Sequence, residues 1–192
     1  MKDRARALAE ALAPAISDPR VLEAIASVQR ELFVPRRLQR RAYDNSALPI
    51  ECGQTISQPL VVARMCDVLE LRPVDRVLEV GTGSGYHAAV LARLAAHVWT
   101  VECHEPLVRQ AAASLEAAGV TNVTLITGDG SRGYPGEAPY DAISVAAATP
   151  EAALPELESQ LAPGGRMIAP VCGRLGERLV LSRRASEQRG GD

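Results

Sequence analysis

Three glycines, Gly81, Gly83 and Gly85, fall between a short apolar run, Val77 to Val80, and the alanine-rich stretch Ala88 to Leu94. The run reads as a buried strand and the stretch as the helix after it, so the glycines occupy a strand-to-helix turn. Glycine there tolerates unusual backbone angles and lets a ligand approach the main chain, while the helix start offers free N–H groups. Glu79 stands before the turn, and Thr82 and Ser84 lie between its glycines. Further on, His97 to Glu102 reads as a strand ending in an acid, the position from which a carboxylate accepts both ribose hydroxyls in a Rossmann-like fold. A third turn, Gly128-Asp129-Gly130, follows another apolar run. An Asp-Gly turn alone often only caps its own backbone, but at a strand end beside two other site elements Asp129 is expected to accept an adenine amino group.

The chemistry this pattern predicts is binding of a nucleotide-type ligand. Strands of an open parallel sheet present their carboxyl ends along one edge, so the three turns should meet in one crevice. The glycine spacing is G-x-G-x-G preceded by Glu79, where the dinucleotide fingerprint is G-x-G-x-x-G. That difference favours S-adenosylmethionine over NAD.

The elements that must position these residues follow from periodicity. A helical stretch over Ala5 to Leu12 precedes Ser17 and Asp18, which stand before Pro19 as a helix start does, and a second helix runs from about Arg20 to Arg30. Phe33, the single phenylalanine, is expected to anchor this unit to the core. Arg36, Arg37, Arg40 and Arg41 read as a solvated basic helix face, with a docking surface for an acidic peptide or RNA as the alternative. Ala42 to Pro59 shows no helical or strand period and reads as a long loop, a length that usually signals function inside a compact domain. Leu60 to Leu71 is amphipathic, with Val61, Met65, Val68 and Leu69 on one face, and Pro73 ends it.

Strand and helix then alternate. Arg76–Val80, a helix to Ala95, His97–Glu102, a helix from Pro106 to Ala118 and Val123–Thr127 come first. Tyr140–Val145, a helix from Glu151 to Leu161 closed by Pro163, Gly164 and Gly165, and Arg166–Val171 follow, and a sixth strand starts at Leu179 to Leu181. This order predicts an α/β fold with a doubly wound, mainly parallel sheet.

Composition bounds the partners. A chain of 192 residues is long enough for one domain with a real core, burying roughly 70% of its unfolded surface. The net charge of −2 supplies no basic field toward nucleic acid or an anionic membrane, and an aromatic content of 3% argues against a base-stacking surface. Cys52, Cys66, Cys103 and Cys172 form no C-x-x-C pair and read as reduced, mostly buried thiols. Cys103 beside His104 reads as structural, so no metal is expected. Asp3, Glu10 and Pro14 interrupt the N-terminal apolar residues and no run is long enough to span a bilayer, which predicts a cytoplasmic protein without membrane contact.

With those residues in view, the sequence resembles the protein-L-isoaspartate O-methyltransferases from Arg30 to about Leu181. The resemblance runs through ELFVP, AYDNSALPI, GQTISQP, VLEVGTGSGYHAAVLA, the GDG turn and PGGRMIAPV. GQTISQP, Gly53 to Pro59, is the most specific of these. The resemblance implies a Rossmann-like class I methyltransferase with an N-terminal helical and loop extension and a shortened C-terminal strand region. It implies methyl transfer from S-adenosylmethionine, leaving S-adenosylhomocysteine, to the free α-carboxylate of isoaspartyl residues in damaged proteins and peptides. Ser57 matches the family's loop serine, with Thr55 and Ile56 beside it lining the substrate. Glu79, Gly81, Thr82, Gly83, Ser84 and Gly85 match the cofactor turn, Glu102 the ribose acid, and Asp129 with Gly130 the adenine side.

On this reading residues 1–192 form one domain: helices and substrate loop at 1–59, cofactor-binding core at 60–183 and a flexible tail at 184–192, acting as a monomer. An isoaspartyl carboxylate is already ionised at neutral pH, so Ser57 is expected to orient it by hydrogen bonding, not to attack as a nucleophile. Two departures stand out. The family usually has glycine where Glu51 stands, and relatives continue through a further strand beyond Leu181. These departures motivate two other readings, a carboxyl methyltransferase for a specific peptide and a cofactor-binding module that has lost catalysis.

Overall fold

A computed structural model describes residues 2–147, 154–173 and 176–186. Six strands form one sheet in the order β5-β4-β3-β6-β7-β8, where β3 is Arg76–Val80, β4 His97–Glu102, β5 Val123–Thr127, β6 Tyr140–Val145, β7 Leu161–Gly173 and β8 Gly176–Arg183. All neighbours are parallel except β7 and β8. The chain runs outward from β3 to β4 and β5, then returns to place β6 on the other side of β3. This is the topological switch point at which open α/β sheets bind ligands.

Adjacent residues on a strand face opposite sides, and the core divides accordingly. Val77 and Val98 belong to a large cluster with α1 (Lys2–Leu12), α2 (Pro19–Ser27), α3 (Pro59–Leu69), α4 (Tyr86–Leu91) and α5 (Glu105–Ala117). Leu78, Val80, Trp99 and Val101 face a smaller cluster that includes Leu157 of α6 (Leu154–Glu158).

Several boundaries differ from the periodicity reading. The second helix stops at Ser27 and Arg30–Phe33 forms a separate 3-10 turn. The helix expected to reach Ala95 ends at Leu91, because the last turn tightens to i→i−3 bonds (Arg93 N–H to Val90 O, 3.1 Å) and Asn122 donates to the freed carbonyl of Ala92 at 2.9 Å. On α3 the buried side is Pro59, Val62, Ala63, Met65, Cys66 and Leu69, whereas Val68 is 37% exposed, so the apolar stripe read from sequence was rotated. The expected start of the helix at Glu151 lies outside the described residues, as does most of the expected tail. The helix ends at Glu158 because Leu161 already pairs with Tyr140. Pro163, Gly164 and Gly165 interrupt the register between Tyr140 and Ala142 without ending the strand, so they form a bulge inside β7.

The segment 42–59 is more ordered than a loop. Leu48–Pro49 (β1) pairs antiparallel with Thr55–Ile56 (β2), and Leu48, Ile50 and Ile56 are buried. Two-residue strands are too short to show a period, which is why the sequence hid them. The thiols also differ from expectation: Cys66 is buried, but Cys52 sits in an exposed turn and Cys103 just past a strand end. Arg36, Arg37, Arg40 and Arg41 are exposed on a 3-10 helix.

Candidate active site

The cavity at the carboxyl ends of β3, β4 and β6 has a volume of about 350 Å³, within the range of small-molecule cofactor sites, roughly 300–1,000 Å³. Its first wall is the glycine turn. Gly81, Gly83 and Gly85 have φ of +92°, +52° and +85°, backbone conformations that a side chain would strain. Gly85 is also the N-cap of α4, and a Cβ there would lie 3.2 Å from the Ala111 Cβ of α5. Within the turn the Gly85 N–H donates to Thr82 O at 2.8 Å, and the Gly81 N–H donates to Val101 O at 2.8 Å, fastening it to β4.

The second wall is the end of β4. Glu102 is 6% exposed and its carboxylate is held from both sides: Oε2 accepts from the Gly83 N–H at 3.0 Å, and Oε1 from the His104 N–H at 3.0 Å. Burial works against the charge, but the hydrogen bonds from Gly83, His104 and Cys103 outweigh it and hold the carboxyl below its usual value. Glu102 is therefore an ionised acceptor at neutral pH.

Opposite lies Asp129. Its Oδ1 accepts from the Ser131 N–H at 3.0 Å and from the Ser131 hydroxyl at 2.8 Å, the local cap that an Asp-Gly turn favours. Those bonds hold its pKa below the ordinary value. Asp129 also lines the cavity, so the capping and ligand-facing readings describe one residue. Next to it, a Cβ on Gly130 would come within 2.6 Å of Val80 Cγ1, so only glycine fits against the end of β3.

The last wall is the hairpin segment 54–57. Thr55, Ile56 and Ser57 line the same cavity as Gly81, Thr82, Gly83, Ser84, Glu102, Asp129 and Gly130. Ser57 does not cap α3: the N-cap is Gln58, without a side-chain bond, while Asn45 Oδ1 accepts from the Leu60 N–H at 3.1 Å. Among the described residues the Ser57 hydroxyl has no hydrogen-bond partner. Glu51 does not require the glycine usual in that turn, since the left-handed angles fall on Cys52 and Gly53, at φ +56° and +68°.

Glu79 and Gly85, also expected at the cofactor, do not line the cavity: Gly85 closes the turn as the N-cap of α4, and Glu79 lies behind it. Glu79 is fully buried, with Oε2 accepting from the Thr100 hydroxyl, which in turn contacts the Thr82 hydroxyl at 2.6 Å. His87 Nδ1 lies 3.6 Å from Glu79 Oε1, the spacing of a stretched ion pair. Burial nevertheless raises the Glu79 carboxyl to about 8 and lowers the His87 imidazole to about 4, so both are neutral near pH 7. A neutral layer thus supports the turn from behind.

Sequence reasoning missed Arg30. This side chain is fully buried and donates to Ala42 O (2.5 Å), Ser46 O (3.3 Å) and Ser57 O (2.9 Å), with its guanidinium 5.4 Å from the centroid of the Tyr86 ring. It ties the hairpin segment to the start of α4, where Phe33 also packs edge-on against Tyr86. Nothing local marks an arginine near a helix end for this role. Ala146 and Ala147, which follow β6, line the cavity too, and the strand order across the switch point is what brings them there.

Residues 5–189 match the family described as protein-L-isoaspartate(D-aspartate) O-methyltransferase. A protein-L-isoaspartate O-methyltransferase from Roseiflexus sp. (strain RS-1) is 52% identical over 172 residues, covering 90% of this chain and 78% of that protein. A solved structure named protein-L-isoaspartate O-methyltransferase superposes with a TM-score of 0.83 at 30% identity, over 96% of this chain and 60% of that one. A further structure from Plasmodium falciparum, described as a complex with S-adenosyl-L-homocysteine, shares the fold with a TM-score of 0.79 at 23% identity, over 97% of this chain and 99% of that one.

Proposed function

This chain belongs to the protein-L-isoaspartate(D-aspartate) O-methyltransferase family, and on that premise we infer that it methylates the free α-carboxylate of L-isoaspartyl residues in proteins and peptides, using S-adenosylmethionine. One observation carries the reading. The segment Thr55 to Ser57 and the turn Gly81 to Ser84, far apart in sequence, line a single cavity, as a methyl donor and its acceptor require. The donor set fits the cofactor: an ionised acid for the ribose, a main chain without Cβ atoms at Gly81 and Gly83, and a cavity of suitable volume.

S-adenosylmethionine, when bound, supplies an electrophilic methyl group on a sulfonium. Glu102 accepts the ribose hydroxyls, and the Gly83 N–H keeps its carboxylate in place. Asp129, with only Oδ1 engaged by Ser131, and Gly130 take the adenine side. Ser57 donates its hydroxyl hydrogen to the substrate carboxylate and so points it at the methyl group. That carboxylate is ionised at neutral pH and no general base is needed. Orientation therefore carries the rate, and holding two reactants in line lowers a barrier by roughly 7–11 kcal/mol. Arg30, through Ser57 O, positions the serine and does not touch the reacting atoms. The same reading takes the protein as a cytoplasmic monomer that uses neither metal nor nucleic acid in the transfer. No helix among the described residues is long and apolar enough to cross a membrane.

The test compares an isoaspartyl peptide with its aspartyl twin, using the wild-type protein and Ser57→Ala. Wild type should methylate only the isoaspartyl peptide. Loss of a hydrogen bond to a charged group costs about 1.5–3 kcal/mol, so the variant should be roughly tenfold to a hundredfold slower, with S-adenosylhomocysteine affinity and melting temperature unchanged. Equal rates on the two peptides would overturn the substrate assignment, and an unchanged rate in the variant would remove Ser57 from the mechanism.

A further inference from the structure

Where β4 ends, three metal-ligating side chains of different chemistry converge at the cavity wall. Glu102 Oε1 and His104 Nδ1 are 2.9 Å apart, Cys103 Sγ and His104 Nδ1 3.2 Å, and Cys103 Sγ and Glu102 Oε1 3.6 Å. Around a tetrahedral Zn²⁺, with bonds of about 2.3 Å to sulfur and about 2.0–2.2 Å to nitrogen and oxygen, ligand atoms stand roughly 3.3–3.7 Å apart. Placing these three on one ion therefore asks for shifts of about half an ångström or less.

The surroundings favour a cation. The outer oxygen of Glu102 is fixed by the Gly83 N–H at 3.0 Å, the kind of second contact that orients a carboxylate ligand. Its inner oxygen is met by three donors, the His104 N–H, His104 Nδ1 and the Cys103 thiol. That is one more than its two lone pairs serve well, so a cation can replace a side-chain donor without leaving the oxygen bare. Cys103 is exposed and His104 is 39% exposed, which gives an ion a route from solvent.

We propose that Glu102, Cys103 and His104 bind one borderline-soft divalent cation, Zn²⁺ or its analogue Co²⁺, and that this cation competes with the cofactor for Glu102. The sulfur and imidazole ligands select against Mg²⁺ and Ca²⁺, which prefer oxygen. As the metal–sulfur bond forms, the Cys103 thiol gives its proton to solvent. His104 moves its ring proton from Nδ1 to Nε2 through solvent and offers the Nδ1 lone pair, and Glu102 is already ionised. One proton is released per ion, and water completes the coordination. The competition rests on the assignment of Glu102 to the ribose; the cation site does not.

The experiment titrates the full chain with Co²⁺ alone, in buffer free of chelators and added thiols. A thiolate-to-cobalt band in the near ultraviolet should saturate at one ion per chain and disappear on adding Zn²⁺. It should be absent in Cys103→Ser, and the ion should bind at least tenfold more weakly to His104→Ala. Absence of the band, or its survival in Cys103→Ser, would overturn the site, and circular dichroism of both variants checks that they fold. Saturating S-adenosylhomocysteine should weaken Co²⁺ binding in the wild-type protein. If calorimetry shows that S-adenosylhomocysteine binds while Co²⁺ affinity is unchanged, the competition is refuted. If S-adenosylhomocysteine does not bind the metal-free protein, the cofactor reading fails and the competition with it, while the cation site is judged by the cobalt band.

Discussion

Replacing Glu79 with glutamine should flatten the pH dependence of stability between about pH 6.5 and 8. Glu79 lies behind the glycine turn, with Oε2 bonded by Thr100 and Oε1 buried without a hydrogen-bond partner among the described residues. Burial raises its carboxyl from the ordinary 4.5 to about 8, against the Thr100 hydrogen bond and with help from the charge on Glu102. A group whose folded value lies above its unfolded one contributes stability that is complete below about pH 4.5 and is lost as the pH rises through about 8. His87, which faces it, works the other way: burial lowers its imidazole from 6.5 to about 4, so its contribution is complete above pH 6.5 and is lost as the pH falls toward 4. Between pH 4.5 and 6.5 the two slopes oppose each other. Above 6.5 only the Glu79 slope remains. At about 1.4 kcal/mol per pH unit, the interval from 6.5 to 8 amounts to roughly 2 kcal/mol, a sizeable share of the ~5–15 kcal/mol of a typical domain. Glutamine keeps the shape and the acceptor for Thr100 but carries no titrating proton. Urea unfolding of both proteins at pH 6.5 and 8 measures the difference. Parallel slopes in wild type and Glu79→Gln would refute the reasoning, because Glu79 would then hold the same charge in the folded and unfolded chains.

Three further outcomes follow from the same geometry. Arg30→Met removes the donor to three loop carbonyls while keeping an apolar stem against Tyr86, and should cost about 3–5 kcal/mol of stability; in the fraction that stays folded, kcat/KM for an isoaspartyl peptide should fall at least tenfold with S-adenosylhomocysteine affinity nearly unchanged, and an unchanged kcat/KM would show that the tether does not position Ser57. Glu102→Ala should weaken S-adenosylhomocysteine by about 1.5–3 kcal/mol in calorimetry, through loss of a charged acceptor and of the Gly83 contact. Arg166 is 7% exposed and bridges the α3 carbonyls Leu69 O (2.6 Å) and Glu70 O (2.8 Å) to the fully buried Asp75 (2.8 Å); Arg166→Met should destabilise by about 3–5 kcal/mol in denaturant titration, and the double change with Asp75→Asn should recover part of that loss.

The sequence by itself determined whatever depends on neighbours along the chain. Strands β3 to β6 were placed from their apolar runs, and glycines between a strand and a helix marked the turn. A carboxylate ending the next strand marked the second wall, because parallel strands must present their carboxyl ends together. Only the tertiary structure decided what depends on residues far apart in sequence. Arg30 reaches Ser57 across 27 positions, and no periodicity encodes a guanidinium that satisfies three loop carbonyls. Glu79 and Glu102 look alike as acids at or near strand ends, yet one is buried and raised toward neutrality while the other is hydrogen-bonded and ionised. Position along the strand decides between them. Glu79 pairs with Thr100, two residues before Glu102, so both acids lie on one face of the sheet. But Glu79 sits inside β3 whereas Glu102 ends β4, where the Gly83 and His104 N–H groups reach its carboxylate.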